Sequence, residues 1–426
     1  MIIKNFQKLA RSPLRRDALE IVEAGYEAID MKNLFARSLR LNGNIIEIEG
    51  HKYNLDDYHH IYVVGLGKAS SLAAKQIEDK LGSKITNGFV IDVAKHRMKH
   101  IKSLKGTHPL PSPKNIKATE KIISLLQKTT KDDLVISIIC GGGSALLCKP
   151  DKLTCLEMQF ISSVLLKAGA TITEINTIRK HVSLIHGGYM AKYAYPSTVV
   201  SLIISDVPGD DISMVASGPT VLDMTTKEDA ELLIKKYELP PIDTNETPKD
   251  KKYFALVNNI LVTSGSRVVA AMGQKANQLG YGSAIYSRKL SGMAKQVGPA
   301  MAKAVRSGQA LLACGETQVI VTKSGKGGRN QDVVLSAVPH LAGNSVIISA
   351  ASDGKDNVNV AGGIADSIRT VKFLKHKKID PLAAVNDNKS YRVLKKLKDH
   401  LFIKKTTANI SDFILVLRDK NDNQRN

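Results

Sequence analysis

The chain has 426 residues, 43% of them hydrophobic, which is too long for one ordinary core and long enough for two or three well-buried ones. No apolar run approaches the roughly 20 residues needed to cross a bilayer, so the expectation is a soluble chain with no membrane partner. A net charge of +21 invites a nucleic-acid reading. Against that reading, the lysines are scattered, aromatics make up only 5% with no Trp, and no helix-turn-helix, RRM or KH signature is present. The sequence therefore reads as having no nucleic-acid partner, and the positive field favours small anions instead.

In chain order, the N-terminus carries Lys4, Lys8, Arg11, Arg15 and Arg16 without the apolar stretch of a secretory signal, and predicts an amphipathic helix continuing through Ala18 to Ile29. Strand candidates follow at Ile61 to Val64, Gly88 to Ile91, Leu134 to Ile139 and Val199 to Ile204, with helical stretches at Ala69 to Leu81 and Ile116 to Lys128. Short β-branched runs alternating with helices are the pattern of βαβ units and a mainly parallel sheet. The fold class is therefore α/β with two α/β domains, the first Rossmann-like. A first domain is expected over 1–238. The polar, proline-interrupted segment 239–252 reads as a linker or long loop, and a second α/β domain is expected over 253–426. Within the second domain, helices are predicted at Ser264 to Leu279 and Met293 to Ser307, the latter carrying Pro299. Strands are predicted there at Gln318 to Thr322, Ser345 to Ala350 and Phe413 to Leu417, with a frayed end from Asp419. Cys140, Cys148, Cys155 and Cys314 form no CxxC pair and read as buried thiols of a reducing, cytoplasmic setting.

The glycines carry the chemistry, because several clusters directly follow predicted strands, at the edge where open α/β sheets bind ligands. In Gly-Leu-Gly-Lys-Ala-Ser, from Gly65 to Ser70, a near match to the dinucleotide fingerprint has Asp92 at the expected distance downstream. Ser70 in the third glycine's place and the cation Lys68 in the turn count against a dinucleotide. The alternative, an NAD(P)H-dependent reductase, stays open, beside a surface role for Lys68. In the second cluster a strand runs through Cys140 into Gly141, Gly142, Gly143 and Ser144, whose amides, with a helix N-terminus behind them, favour a phosphate. A tight structural turn is the bland reading. The third cluster, Thr322 to Asp332, adds in Arg329 a guanidinium able to grip phosphate or carboxylate oxygens in parallel; otherwise it is a mobile basic loop. Asp206 and Asp353 each follow a strand, where a Mg²⁺ ligand or general base is placed, and Glu316 is a weaker candidate of that type; structural turn carboxylates are the alternative. His108 reads either as a ligand contact or, as is commoner for a lone loop His, as a structural residue, and His181 and His186 share one predicted helix with no third metal ligand nearby.

Taken together, Gly67 to Ala69, Thr107 to Pro111, Cys140 to Ser144, Asn176 to Ser183, Ser205 to Asp211, Ala216 to Thr220, Gly327 to Gln331 and Ser352 to Asp356 make the chain resemble, nearly end to end, the glycerate 2-kinases of the MOFRL type, also called class II glycerate kinases. The resemblance implies transfer of ATP's γ-phosphoryl group to the 2-hydroxyl of D-glycerate with Mg²⁺ or another divalent cation, giving 2-phosphoglycerate and ADP. It implies an active site in an inter-domain cleft with Lys68 and Arg329 as its cations, and it admits a homodimer. In archaeal relatives the reaction feeds a branched, non-phosphorylative Entner-Doudoroff route. Some relatives are labelled hydroxypyruvate reductases, which keeps the reductase alternative in view. Cys140 departs from the family's smaller residue at that turn, and Lys405 to Asn409 stands where the family has a segment rich in Gly and Thr. Read from the residues, the Gly67 and Gly141 to Ser144 turns hold the phosphates, Asp206 and Asp353 are the metal candidates, and Asp206 also serves as a catalytic candidate beside Lys68 and Arg329.

Overall fold

A computed structural model describes residues 1–404 and 410–420, so the segment Lys405 to Asn409 and the expected frayed end beyond Lys420 lie outside the described residues. Its strands, in chain order, are β1 (Leu39–Asn42), β2 (Ile45–Ile48), β3 (His51–Asn54), β4 (His60–Leu66), β5 (Asn87–Asp92), β6 (Ile101–Lys105), β7 (Asp133–Cys140), β8 (Thr198–Ile204), β9 (Val257–Thr263), β10 (Gly282–Leu290), β11 (Gln309–Gly315), β12 (Ser345–Ala351), β13 (Gly362–Asp366), β14 (His400–Leu401) and β15 (Asp412–Arg418). The chain divides into two compact units, one comprising residues 31–207 and 211–262, the other residues 1–30, 208–210 and 263–426.

In the first unit, β7 is buried at every position, as its run of Val and Ile requires of a central strand covered on both faces. The sheet order is β6-β5-β4-β7-β8-β9, the 3-2-1-4-5-6 order of doubly wound folds. The pairs β4 with β5, β4 with β7, β5 with β6, and β7 with β8 are all parallel. Val64, Leu66, Val135, Ile139 and Ile203 bury together in its core, each contributing roughly 1.5–3 kcal/mol by leaving water. β1, β2 and β3 form a separate antiparallel meander. The chain leaves β4 towards β5 and leaves β7 towards β8, on the other side. The carboxyl ends of β4 and β7 therefore flank a crevice at the switch point, where such sheets bind ligands.

The second unit is a mixed sheet, ordered β10-β11-β15-β12-β13-β14, in which β10 and β11 run parallel and the other pairs antiparallel. Two boundaries differ from the expectation of 1–238 and 253–426. β9 follows the polar segment but extends the first sheet beside β8, so the second unit resumes only at residue 263. The N-terminal helix Pro13–Ile29 belongs with the second unit, where Gly25 abuts Met272 and Val268, Tyr26 donates to the Ala351 carbonyl at 3.0 Å, and buried Arg15 pairs with Asp399 at 2.8 Å. Periodicity reveals an apolar helix face but not which core receives it.

The strand expected at Gln318 to Thr322 is not formed. Only Gln318 bridges to Met293, while Ile320 and Val321 remain 66% and 76% exposed. The strand lies just upstream, in β11, where Ala and Leu without a β-branched residue give little strand signal and neighbouring strands supply the pairing. The helix Ala294–Ala304 runs through Pro299.

Candidate active site

Both glycine turns of the first unit sit at the switch-point crevice. Gly67 leaves β4 with φ of 100°, and a Cβ there would collide with the Cys140 carbonyl, so only glycine permits the two turns to touch. The Lys68 amide then donates to the Gly141 carbonyl at 2.9 Å, tying one turn to the other. Half-buried Lys68 lies over the second turn: a Cβ on Gly142 would stand 3.3 Å from its Cε and 3.0 Å from His108 Nε2. Burial, reinforced by Lys68, pulls His108 down to about 4, so its imidazole is neutral near pH 7.

Asp206, just past β8, presses its carboxylate against Gly141, where any Cβ would overlap it. Lys68, Gly67, Gly141, Gly142, Gly143, Ser144 and Asp206 are thus one constellation: backbone amides, one ammonium and one carboxylate at the carboxyl ends of β4, β7 and β8. One part of the expectation needs correcting. The helix behind the second turn is only Gly143–Leu146, four residues, too short to supply much of a helix dipole. Any anion binding here rests on local amides and side chains.

Asp92 is not available to a ribose. Buried to 1% exposure, it accepts from the Ser71 amide at 3.0 Å, the Ser71 hydroxyl at 2.7 Å and the Val93 amide at 2.6 Å. Ser70, in the third glycine's place, donates its hydroxyl to the Ile91 carbonyl at 3.1 Å. The dinucleotide fingerprint is used here to dock a helix onto the sheet.

In the second unit, Arg329 opens the helix Arg329–Ala337, whose first amides, those of Asn330 and Gln331, donate to buried Asp356 at 3.1 and 3.0 Å. Its guanidinium meets Asp412 and spans Glu316, with Nη2 at 3.1 Å and Nη1 at 3.3 Å from the Glu316 oxygens. Burial alone would lower the Arg329 pKa, but Asp412 and then Glu316 overcome it and keep the group charged. Arg329, Gly327, Gly328, Asp332 and Asn388 line a cavity of about 680 Å³, a size suited to a small ligand. Asp353 is not in it. It accepts from the Lys355 amide at 2.9 Å and lines a different pocket, shared with Lys4, Lys355 and Lys404.

A family model for a domain of unknown function (DUF4147) matches residues 17–247, and the MOFRL family model matches residues 309–412. The chain is 32% identical to the glycerate 2-kinase of Pyrococcus horikoshii, across 95% of this chain and 97% of that protein. The chain belongs to the glycerate 2-kinase family. The crystal structure of glycerate kinase from Thermotoga maritima is 30% identical with a TM-score of 0.84, covering 95% of this chain and 99% of that one. A putative hydroxypyruvate reductase of Agrobacterium vitis is 36% identical over 83% of this chain and 86% of that protein.

This glycerate 2-kinase family member also brings to its glycine turn residues to which the sequence reading gave no role. Ser144 Oγ lies 2.9 Å from Ser217 Oγ, Ser217 donates to Asn176 Oδ1 at 2.8 Å, and Arg179 Nη1 donates to the same oxygen at 2.9 Å. Ala216, Ser217 and Gly218 follow one another with φ of 50°, 58° and 59°, a left-handed run that costs the two non-glycine residues on the order of 1 kcal/mol each. Asn176 and Arg179 stand three apart on the helix Ile172–His181, hence on one face, which is the signal that could have singled them out.

Proposed function

We propose that this chain catalyses ATP-dependent phosphorylation of D-glycerate at its 2-hydroxyl, giving 2-phosphoglycerate and ADP. The observation that carries this reading is the gathering of Lys68, the amides of Gly141 to Ser144 and Asp206 at the switch point of a parallel sheet. A triphosphate brought near a carboxylate substrate concentrates negative charge, and phosphoryl transfer is accelerated chiefly by positioning and by charges set against it. The names of the Pyrococcus and Thermotoga relatives support glycerate as acceptor. The full engagement of Asp92 speaks against NAD(P)H and for a Rossmann-like unit serving a nucleoside triphosphate.

In this reading the turn amides and Ser144 hold phosphate oxygens, Lys68 stabilises the transferring group, and Arg329 grips the glycerate carboxylate in place of exposed Glu316. Asp206 suits a divalent cation, since Mg²⁺ takes one or two carboxylates and completes its shell with phosphate oxygens and water. Among the described residues no cluster of three or more His, Cys, Asp or Glu forms a cage, which fits a metal brought with the nucleotide. When bound, such an ion neutralises phosphate charge. Asp353, in a pocket rich in lysine, does not fit that role. Asp206 alternatively accepts the hydroxyl proton. Four buried free thiols suit the reducing cytoplasm, where the product would enter a sugar-degradation route of the Entner-Doudoroff type.

The test is to supply purified protein with ATP, Mg²⁺ and D-glycerate, and separately with NADH and hydroxypyruvate. ADP release only when glycerate is present supports the proposal, and NADH oxidation without ATP overturns it.

A further inference from the structure

Among the described residues Arg179 has no ionic partner: no carboxylate pairs with it, and its only hydrogen bonds run from Nη1, to Asn176 Oδ1 at 2.9 Å and Ser217 Oγ at 3.4 Å. Its Nε and Nη2 make none, and neither is sealed from solvent without a partner. Those two nitrogens form the edge with which arginine holds two oxygens of one phosphate. Asn176, 2% exposed, anchors Nη1 and so fixes the orientation of the free edge.

The surroundings identify the ligand's chemistry. Arg179 reaches the Gly141 to Ser144 turn through Ser217, and Gly143 itself packs on Ala216 of the strained run, so the guanidinium belongs to the same crevice as the turn amides. Burial lowers its pKa to about 10, with the nearby Cys148 thiol acting against that, which leaves it charged at neutral pH. A half-buried cation without a counter-ion among the described residues is costly unless an anion visits it.

We infer that Arg179 is a second cation of the nucleotide site, receiving a phosphate group of ATP or ADP on its Nε and Nη2 edge, while Asn176 and Ser217 are positioning residues that hold it there. The inference rests on the phosphoryl-transfer reading above for the identity of the ligand.

The experiment uses the full chain and its Arg179→Lys, Arg179→Ala and Ser217→Ala variants. ADP binding is measured by calorimetry, and KM is measured for ATP and for glycerate separately. Lysine keeps the charge but loses the fork, so Arg179→Lys and Arg179→Ala are expected to weaken ADP and raise the KM for ATP at least about tenfold. The KM for glycerate should stay within about twofold, whereas a purely structural role would move both constants together. Unchanged ADP affinity in Arg179→Lys overturns the inference. So does a rise in the glycerate KM alone, which would assign the guanidinium to the carboxylate. Should Arg179→Ala fail to fold, Arg179→Lys and Ser217→Ala still decide. If the chain proves not to phosphorylate glycerate, the functional proposal falls while calorimetry with ADP still tests Arg179.

Discussion

The carboxylate of Asp206 rests against the Cα of Gly141, so that the ends of β7 and β8 leave no room for a side chain between them. Gly141→Ala would therefore push Asp206 aside at an overpacking cost of about 1–3 kcal/mol. Turnover is expected to fall to a similar extent in Gly141→Ala and Asp206→Asn. Steady-state kinetics alongside a thermal melt checks this, and a folded Gly141→Ala protein with full activity would show that the contact is only structural.

Lys68 stands over the same turn, and its removal should be felt mainly in turnover. If it acts as a single transition-state donor, Lys68→Ala costs on the order of 10² in kcat. The melting temperature should change little, because the ammonium is only half-buried. Near-normal kcat would remove Lys68 from the mechanism.

Glu316 spans Arg329 through an exposed ion pair, and such pairs contribute only about 0–1 kcal/mol. A substrate carboxylate competing for that guanidinium would gain from the loss of Glu316. Glu316→Gln is accordingly expected to lower the KM for glycerate about two- to fivefold, whereas Arg329→Ala should cost on the order of 10² in turnover. A raised KM in Glu316→Gln would contradict the competition.

Asp332, buried in the wall of the Arg329 cavity, has its carboxyl pushed up to about 6 by burial, with Ser390 opposing and Asp356 adding to the effect. The folded protein then keeps a proton that the unfolded chain releases above about pH 4. Stability should fall as pH rises from about 4 to about 6, and remain lowered above that. Asp332→Asn removes this penalty, so it should be more stable than the parent by up to about 3 kcal/mol at pH 8, the gap closing towards pH 4. A gap independent of pH, in denaturant titrations across that range, would reject the assignment.

The turns after β4 and β7 were legible because glycine at a strand end has a local cause, here the positive φ of Gly67 and its contact with Cys140. The positions of Asp206 after an apolar run and of Arg329 after a glycine cluster are local patterns of the same kind. What escaped depends on distant partners. Nothing in the apolar face of Pro13–Ile29 names Met272 as its neighbour, and β11 carries too few β-branched residues to declare itself. Arg179 and Ser217 are far apart in sequence and join Ser144 through the left-handed run at Ala216 and Ser217, a conformation those residue types do not advertise. The dinucleotide-like spacing of Asp92 misled in the opposite sense, since the spacing holds while Ser71 takes the carboxylate.

Phosphorylation at the 2-hydroxyl can be read with one coupled assay. Protein, ATP, Mg²⁺ and D-glycerate are mixed with enolase and no phosphoglycerate mutase. Phosphoenolpyruvate should accumulate, since enolase accepts the 2-phosphate. Its absence until a mutase is added would place the phosphate on the 3-hydroxyl, and its absence even then would rule out phosphorylation of glycerate by this chain.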